Sequence, residues 1–183
     1  MIFRRLRLVH KNQRGFTIIG LIMAIAVTGL ISTGVTMTIF QMLDYNARDT
    51  ARMTAVKQLE NAVHWISRDG QMAQTVIDSD DPATADVTEF FVLSWTEWNN
   101  DVHRVAYVLE GGELKRSYYI NPGEPSETLV EIMVAQHIVP SESSCVWNDI
   151  AGRITFTLTT AVSHGSGEAT EVRVWEVTPR PSL

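Results

Sequence analysis

The sequence predicts an α+β fold in which a long N-terminal helix, transmembrane in its first half, packs under an antiparallel β-sheet. Three observations carry that expectation. No charged residue occurs from Gly15 through Leu43, and about 20 apolar residues suffice to cross the core of a bilayer. Beyond that run, Met53, Val56, Leu59, Val63 and Ile66 step by three and four, the spacing of one buried stripe on a helix. The remaining chain changes period, with alternating apolar segments set between turn residues.

The first element is a basic leader. Arg4, Arg5, Arg7, Lys11 and Arg14 precede Phe16 and no acid does, so ten basic residues face 21 acidic ones from Phe16 onward. The overall charge of −6 therefore conceals a body of −11. An acidic body repels nucleic acid, whose nonspecific binding depends on cations meeting phosphate, and no nucleic acid partner is expected. Basic residues on the N-terminal side of the apolar run, with Asp44 opening the other side, place the N-terminus in the cytoplasm and the body outside. The 183 residues, 45% hydrophobic and 20% charged, divide into a leader at 1–15, a transmembrane segment at 16–43, the second half of the helix at 44–75 and an extracytoplasmic β-rich body at 76–183. With Cys145 the single cysteine, no internal disulfide can form.

Within the apolar run, Gly20, Ala24, Thr28, Ser32 and Thr36 recur at every fourth position on one helical face. Small residues so placed let helices approach closely in lipid. Ordinary membrane-helix composition, rich in glycine and threonine, produces the same pattern, and both readings stand. The second half of the helix should reach about Ala73, with Gly70 either ending or weakening it.

"VIDSDDPATAD" (Val76–Asp86) reads as a loop. Its Asp78, Asp80, Asp81 and Asp86 suit calcium chemically, but the spacing lacks the glycine and terminal glutamate of an EF-hand, which favours a solvated acidic loop. Val87–Trp95 and Val102–Glu110 read as strands flanking a polar turn, and Gly111-Gly112 joins the second to Glu113–Ile120 as a tight hairpin. Thr128–Val139 fits a short helix or a strand, with Ile138 and Val139 tilting its end toward strand. Arg153–Val162 and Ala169–Val177 alternate cleanly around a "SHGSG" loop, and the Pro-Arg-Pro tail should fray.

A short leader ending in Lys-Asn-Gln-Arg-Gly, then Phe-Thr-Ile-Ile, then a long apolar helix resembles the N-terminus of type IV prepilins and type II secretion pseudopilins. The resemblance implies cleavage by a prepilin peptidase between Gly15 and Phe16, N-methylation of Phe16, and a helix that serves first as membrane anchor and then as filament core. It implies other minor and major pilin-like subunits as partners, together with the prepilin peptidase and membrane lipid. Two further segments are similar to J-type minor pseudopilins and W-type minor pilins: "VAYVLEGGELKRSYY", with its Tyr-x-Leu-x-Gly-Gly-x-Leu-x-Arg hairpin, and "WISRDGQMAQTV" at the end of the helix. One position departs from the family pattern. Where the family carries a glutamate thought to pair with the N-terminal amine of a neighbouring subunit, this chain has Gly20. The K-type tip pseudopilin is similar in lacking that acid, so the resemblance implies a minor or tip-proximal subunit that primes or caps a filament.

No catalytic chemistry is legible. His10, His64, His103, His137 and His164 lack the paired spacing of a zinc site, and Cys145 has no CxxC partner. Gly165-Ser166-Gly167 is not a nucleophile elbow, and Gly111-Gly112 is a hairpin rather than a phosphate cradle. The five tryptophans suit the core of a small body. The expectation is a structural subunit with no enzyme activity, no metal and no cofactor. Three rivals remain. A Sec signal peptide cut after Ala26 would leave Val27–Leu43 as a second membrane-grade stretch. A signal-anchored membrane protein would use the helix as a tether for an outer ligand-binding domain. A DNA-uptake pilin would need a local basic patch near Arg104, Lys115 and Arg116.

Overall fold

A single α-helix, α1, runs from Ile18 to Met72 and supplies the two regions of the molecule with very different surroundings. The computed structural model describes residues 17–77, 89–125, 127–148, 150–165 and 167–180. The chain divides into two compact units between Asp44 and Tyr45. In the first, among the described residues, no residue is buried, and Ile18, Leu30 and Phe40 stand 78%, 76% and 68% exposed. Thr17 caps the helix: Gly20 N–H donates to its hydroxyl at 3.2 Å and Leu21 N–H to its carbonyl at 3.1 Å.

In the second unit the helix buries Ala51, Ala55, Leu59, Ala62, Ile66, Asp69 and Gly70. The stripe thus keeps Leu59 and Ile66 from the sequence reading but rotates away from Met53, which is 67% exposed, and leaves Val56 and Val63 half-buried. Alanine at positions 51, 55 and 62 brings the helix axis close to the sheets, which large side chains there would prevent. Gly70 does not end the helix. A Cβ at that position would sit 2.8 Å from Val177 Cγ1, so glycine admits the close approach of the last strand. The tail after that strand is pinned rather than frayed as far as Arg180, whose N–H donates to Ala73 O at 2.9 Å.

Among the described residues the body is antiparallel, as the alternation predicts, but it forms two sheets. The first has the order β1-β2-β3-β4-β5, built from β1 (Thr75–Ile77), β2 (Glu89–Thr96), β3 (Val102–Glu110), β4 (Glu113–Ile120) and β5 (Thr128–Ala135). The second is β6 (Ser144–Asn148), β7 (Arg153–His164) and β8 (Gly167–Val177). The β3–β4 hairpin stands where the sequence places it, with Gly111 and Gly112 at φ 58° and 82°. Positive φ at both central positions is what a two-residue turn of that hand requires.

Four segments depart from the sequence reading. Thr128–Val139 is strand at its start, through Ala135, and only Ile138 of its β-branched end makes an isolated bridge, to Thr160. The short strands β1 and β6 had no alternation long enough to announce them. β7 extends to His164 and β8 begins at Gly167, so both strands run further into the "SHGSG" segment than the alternation predicts. The acidic loop beyond Ile77, with Asp78, Asp80, Asp81 and Asp86, lies outside the described residues.

One core joins helix and sheets. Phe91 stacks on Tyr107 at 4.5 Å within the first sheet and meets Phe156 of the second at 4.9 Å. Leu59, Ala62 and Ile66 of the helix pack in the same cluster as Leu93, Val105, Leu114, Ile154, Leu158 and Val177. The connection after β5 ties the sheets by backbone bonds: Ile138 N–H donates to Gly112 O at 2.9 Å and Val139 N–H to Thr159 O at 2.8 Å. Trp95 is buried, and Trp65, Trp147 and Trp175 flank the core. Trp98 stands apart from that pattern, on the β2–β3 turn and 95% exposed.

Candidate assembly site

The apolar half of α1 is the candidate site for anchoring and assembly. It is long and apolar enough to cross a membrane, and none of its spanning stretch is buried. Gly20, Ala24, Thr28, Ser32 and Thr36 lie on this segment, all exposed except the partly covered Gly20. Its hydroxyls are internally satisfied. Thr28 Oγ1 donates to Ala24 O and Thr36 Oγ1 to Ser32 O, both at 2.8 Å. Thr33 and Thr38 do the same toward Gly29 and Gly34 at 2.9 Å. A hydroxyl bonded to its own helix enters an apolar environment without losing a partner, so these polar residues do not bar burial in lipid or among helices. At the N-terminal end Gly20 occupies the third helical position after the Thr17 cap, where an acid would face the helix dipole and reach back toward the chain terminus. The first turn carries no acidic residue. Gly15 and Phe16 lie outside the described residues.

A second constellation, which the sequence did not reveal as one unit, ties the helix end to the β3–β4 hairpin. Asp69 is fully buried. It accepts from Arg116 Nε at 2.6 Å and Arg116 Nη2 at 3.0 Å, a two-pronged pair, and from Tyr107 Oη at 2.6 Å. The Arg116 guanidinium also lies over the rings of Trp65 and Tyr118, each 5.0 Å from the centroid. Burial, with the Asp69 carboxylate beside it, holds the Tyr107 phenol far above its ordinary range. Burial works against the charge on Arg116, yet its bonds and attraction to Asp69 keep its affinity for the proton above the usual arginine value. Tyr107 and Arg116 are the tyrosine and arginine of the Tyr-x-Leu-x-Gly-Gly-x-Leu-x-Arg segment, and Asp69 is the acid of "WISRDGQMAQTV". Both segments stood out as separate patterns, and only the fold shows that they meet.

The other basic side chains of the hairpin are also engaged. Arg104 donates through Nη2 to both oxygens of Glu89, at 2.7 and 3.0 Å, with both residues buried. Lys115 Nζ lies 3.5 Å from Glu110 and 3.9 Å from Glu113. Arg104 and Arg116 are buried in ion pairs and only Lys115, beside two acids, is partly exposed, so the trio does not form the basic patch that a DNA-uptake reading requires. His103 is buried beside Trp95 and Tyr118, its Nδ1 2.6 Å from Tyr118 Oη and its Nε2 3.4 Å from Glu97. Among the described residues, no group of three or more histidine, cysteine or acidic side chains is placed to hold a metal ion.

Residues 10–36 match the family described as the prokaryotic N-terminal methylation motif. No curated protein and no solved structure matches the chain. The match spans the basic leader, the Gly15–Phe16 step and much of the apolar helix, and it indicates a precursor of the type IV pilin or pseudopilin type. Proteins of that type are structural rather than enzymatic, assemble with other pilin subunits and are processed by a prepilin peptidase. Together with the exposed apolar helix, the motif supports single-pass anchoring in the inner membrane.

Proposed function

We propose that this chain is a minor pilin or pseudopilin that primes or caps a type IV pilus or a type II secretion pseudopilus. Residues 1–15 act as leader, 16–43 as anchor and filament-core segment, 44–75 as the remainder of the helix and 76–183 as the extracytoplasmic body. The observation that carries the reading is the coincidence of the methylation motif with an uncharged first half of α1 in which no described residue is buried. Basic residues before the helix hold the N-terminus in the cytoplasm. Cleavage after Gly15 then leaves Phe16 as the methylated terminus, directly before the Thr17 cap.

Leaving the bilayer costs such a segment little when neighbouring apolar helices replace the lipid, so specificity falls to packing and polar contacts. The face of Gly20, Ala24, Thr28, Ser32 and Thr36 is the surface for close helix approach. Gly20 at the third helical position offers no carboxylate to a neighbour's terminal amine, and an uncompensated charge in hydrocarbon costs at least about 2.5 kcal/mol. Repeated addition of this subunit would repeat that cost, whereas one copy at a filament end incurs it once or not at all. This supports the minor over the major role, and the likeness of the hairpin and helix end to J-type and W-type subunits points the same way.

Mass spectrometry of the protein extracted from its native membrane tests the proposal. A mature chain starting at N-methylated Phe16 is expected. A chain starting at Met1 would instead leave a signal-anchored tether, and one starting at Val27 a Sec-processed protein.

A further inference from the structure

Among the described residues the body has four sheet edges, and two of them, β6 and β8, are protected against pairing with another chain. β6 has only five residues, while β1 borders residues that lie outside the described ones. β8 is long but carries Glu168, Glu171, Arg173 and Glu176 along eleven residues. Short length and charge are the usual ways in which a native edge avoids strand addition. β5 lacks both. Its eight residues, Thr-Leu-Val-Glu-Ile-Met-Val-Ala, contain one charge and no proline. Leu129, Val130 and Met133 stand 47%, 46% and 50% exposed, on both faces of the strand.

The far end of this edge is closed by the helix. Asn61 Nδ2 donates to Val134 O, and Gln136 N–H donates to Gln58 Oε1 at 2.9 Å. Over Thr128–Met133 the strand pairs with β4 on one side, and among the described residues nothing pairs with the other. That open stretch contains exposed Glu131 and is preceded by exposed Glu124 and Glu127. Glu131 accepts from Ser117 Oγ at 3.3 Å and Glu127 from Gly123 N–H at 3.2 Å, and among the described residues neither carboxylate has a basic partner. The neighbouring cations are occupied, Lys115 by Glu110 and Glu113 and Arg116 by Asp69.

From this we infer that the Thr128–Met133 edge of β5 receives an extended strand from a different protein, one that alternates apolar side chains with lysine or arginine. The backbone of the incoming strand completes the ladder, its apolar side chains cover Leu129, Val130 and Met133, and its cations answer Glu127 and Glu131. Charge decides against a second copy of this chain, since pairing of two such edges would set carboxylates of like sign across the ladder. The inference concerns the body alone and stands whether or not the N-terminus is cleaved at Gly15.

The test uses the full chain in detergent micelles, with hydrogen exchange read at the amides of Leu129–Met133. The probes are a short capped peptide alternating valine with lysine, its glutamate counterpart, and the lysine peptide N-methylated on alternate backbone amides. The lysine peptide is expected to slow exchange about tenfold at saturation, and to bind about fivefold more tightly than the glutamate peptide. The N-methylated peptide is expected to give no protection. Glu127→Lys with Glu131→Lys, both at exposed positions, should reverse the preference. No protection by either unmethylated peptide overturns the inference, as does equal protection by the methylated one or a preference unchanged by the double substitution. Protection that grows with protein concentration in the absence of peptide overturns the choice of partner in favour of a second copy.

Discussion

The two halves of α1 share one secondary structure and differ in almost everything else. Residues 18–43 bury no side chain, carry no charge and satisfy their hydroxyls on their own backbone. Residues 45–72 bury a stripe of alanine, leucine and isoleucine and end in a fully buried aspartate held by two residues of a distant hairpin. The first half is a helix because its composition leaves the backbone no better partner in an apolar solvent. The second is fixed by tertiary packing, as most helices in water are. The difference teaches that one continuous helix serves two solvents by changing what its side chains need rather than its backbone.

The sharpest way to break this comparison is at the polar anchor of the second half. Arg116→Met removes the cationic partner of a carboxyl group with no solvent exposure, leaving the Asp69 side chain bonded only to Tyr107. Loss of one member of a buried ion pair costs about 3–5 kcal/mol. Urea unfolding of the protein in micelles should show that loss in the body. Adding Asp69→Leu to the same chain should recover part of it, because the buried carboxyl left without its cation is then gone. A full-length protein in which Arg116→Met changes stability by less than 1 kcal/mol would show that the pair does not hold the hairpin to the helix.

A second comparison sets matched truncations against each other. Leu59→Ala in the core cluster should cost about 2–5 kcal/mol. Ile25→Ala, at a residue 65% exposed in the first half, should leave unfolding of the body within about 0.5 kcal/mol of the parent. It should instead weaken retention in the membrane or incorporation into an assembly. Equal effects of the two substitutions on body stability would erase the distinction drawn above.

Legibility in the sequence followed the same division. The uncharged run announced the first half because a membrane-spanning helix must be apolar over its whole length. The β3–β4 hairpin was equally plain, since a pair of glycines between alternating segments permits little else. The buried stripe was misjudged by part of a turn. Met53 outweighs Ala55 in apolar character, but the close sheet selects the small residue, and that choice depends on packing rather than periodicity. The Asp69–Arg116–Tyr107 cluster was invisible as a cluster because 47 residues separate Asp69 from Arg116. Each member reads locally as a solvated charge or a strand aromatic. The tightness at Gly70 was hidden for the same reason, because it answers to Val177 on the last strand.

The smallest expected effect probes the same cluster through pH. Burial and the Asp69 carboxylate raise the Tyr107 phenol above 10, its ordinary value, and burial raises Tyr118 in the same direction. A group with a raised folded-state value binds its proton more tightly in the native state. The unfolded chain releases these protons first as pH climbs past about 10. The contribution is therefore complete at neutral pH, begins to fall above about pH 10, and for one fully buried tyrosine falls by at most about 1.4 kcal/mol per pH unit. Tyr107→Phe loses its hydrogen bond to Asp69 at every pH, at a cost of about 1–3 kcal/mol. Its alkaline limb should nevertheless be shallower than the parent's by up to one proton, with less tyrosinate absorbance appearing on unfolding. That change of slope separates the buried phenol from a general alkaline weakening of surface ion pairs, such as the exposed Arg52–Glu171 contact at 2.7 Å, which the substitution leaves untouched. An unchanged slope would mean that Tyr107 reaches solvent before it ionises, and that the hairpin end of the helix opens locally at alkaline pH while the remaining core stays folded.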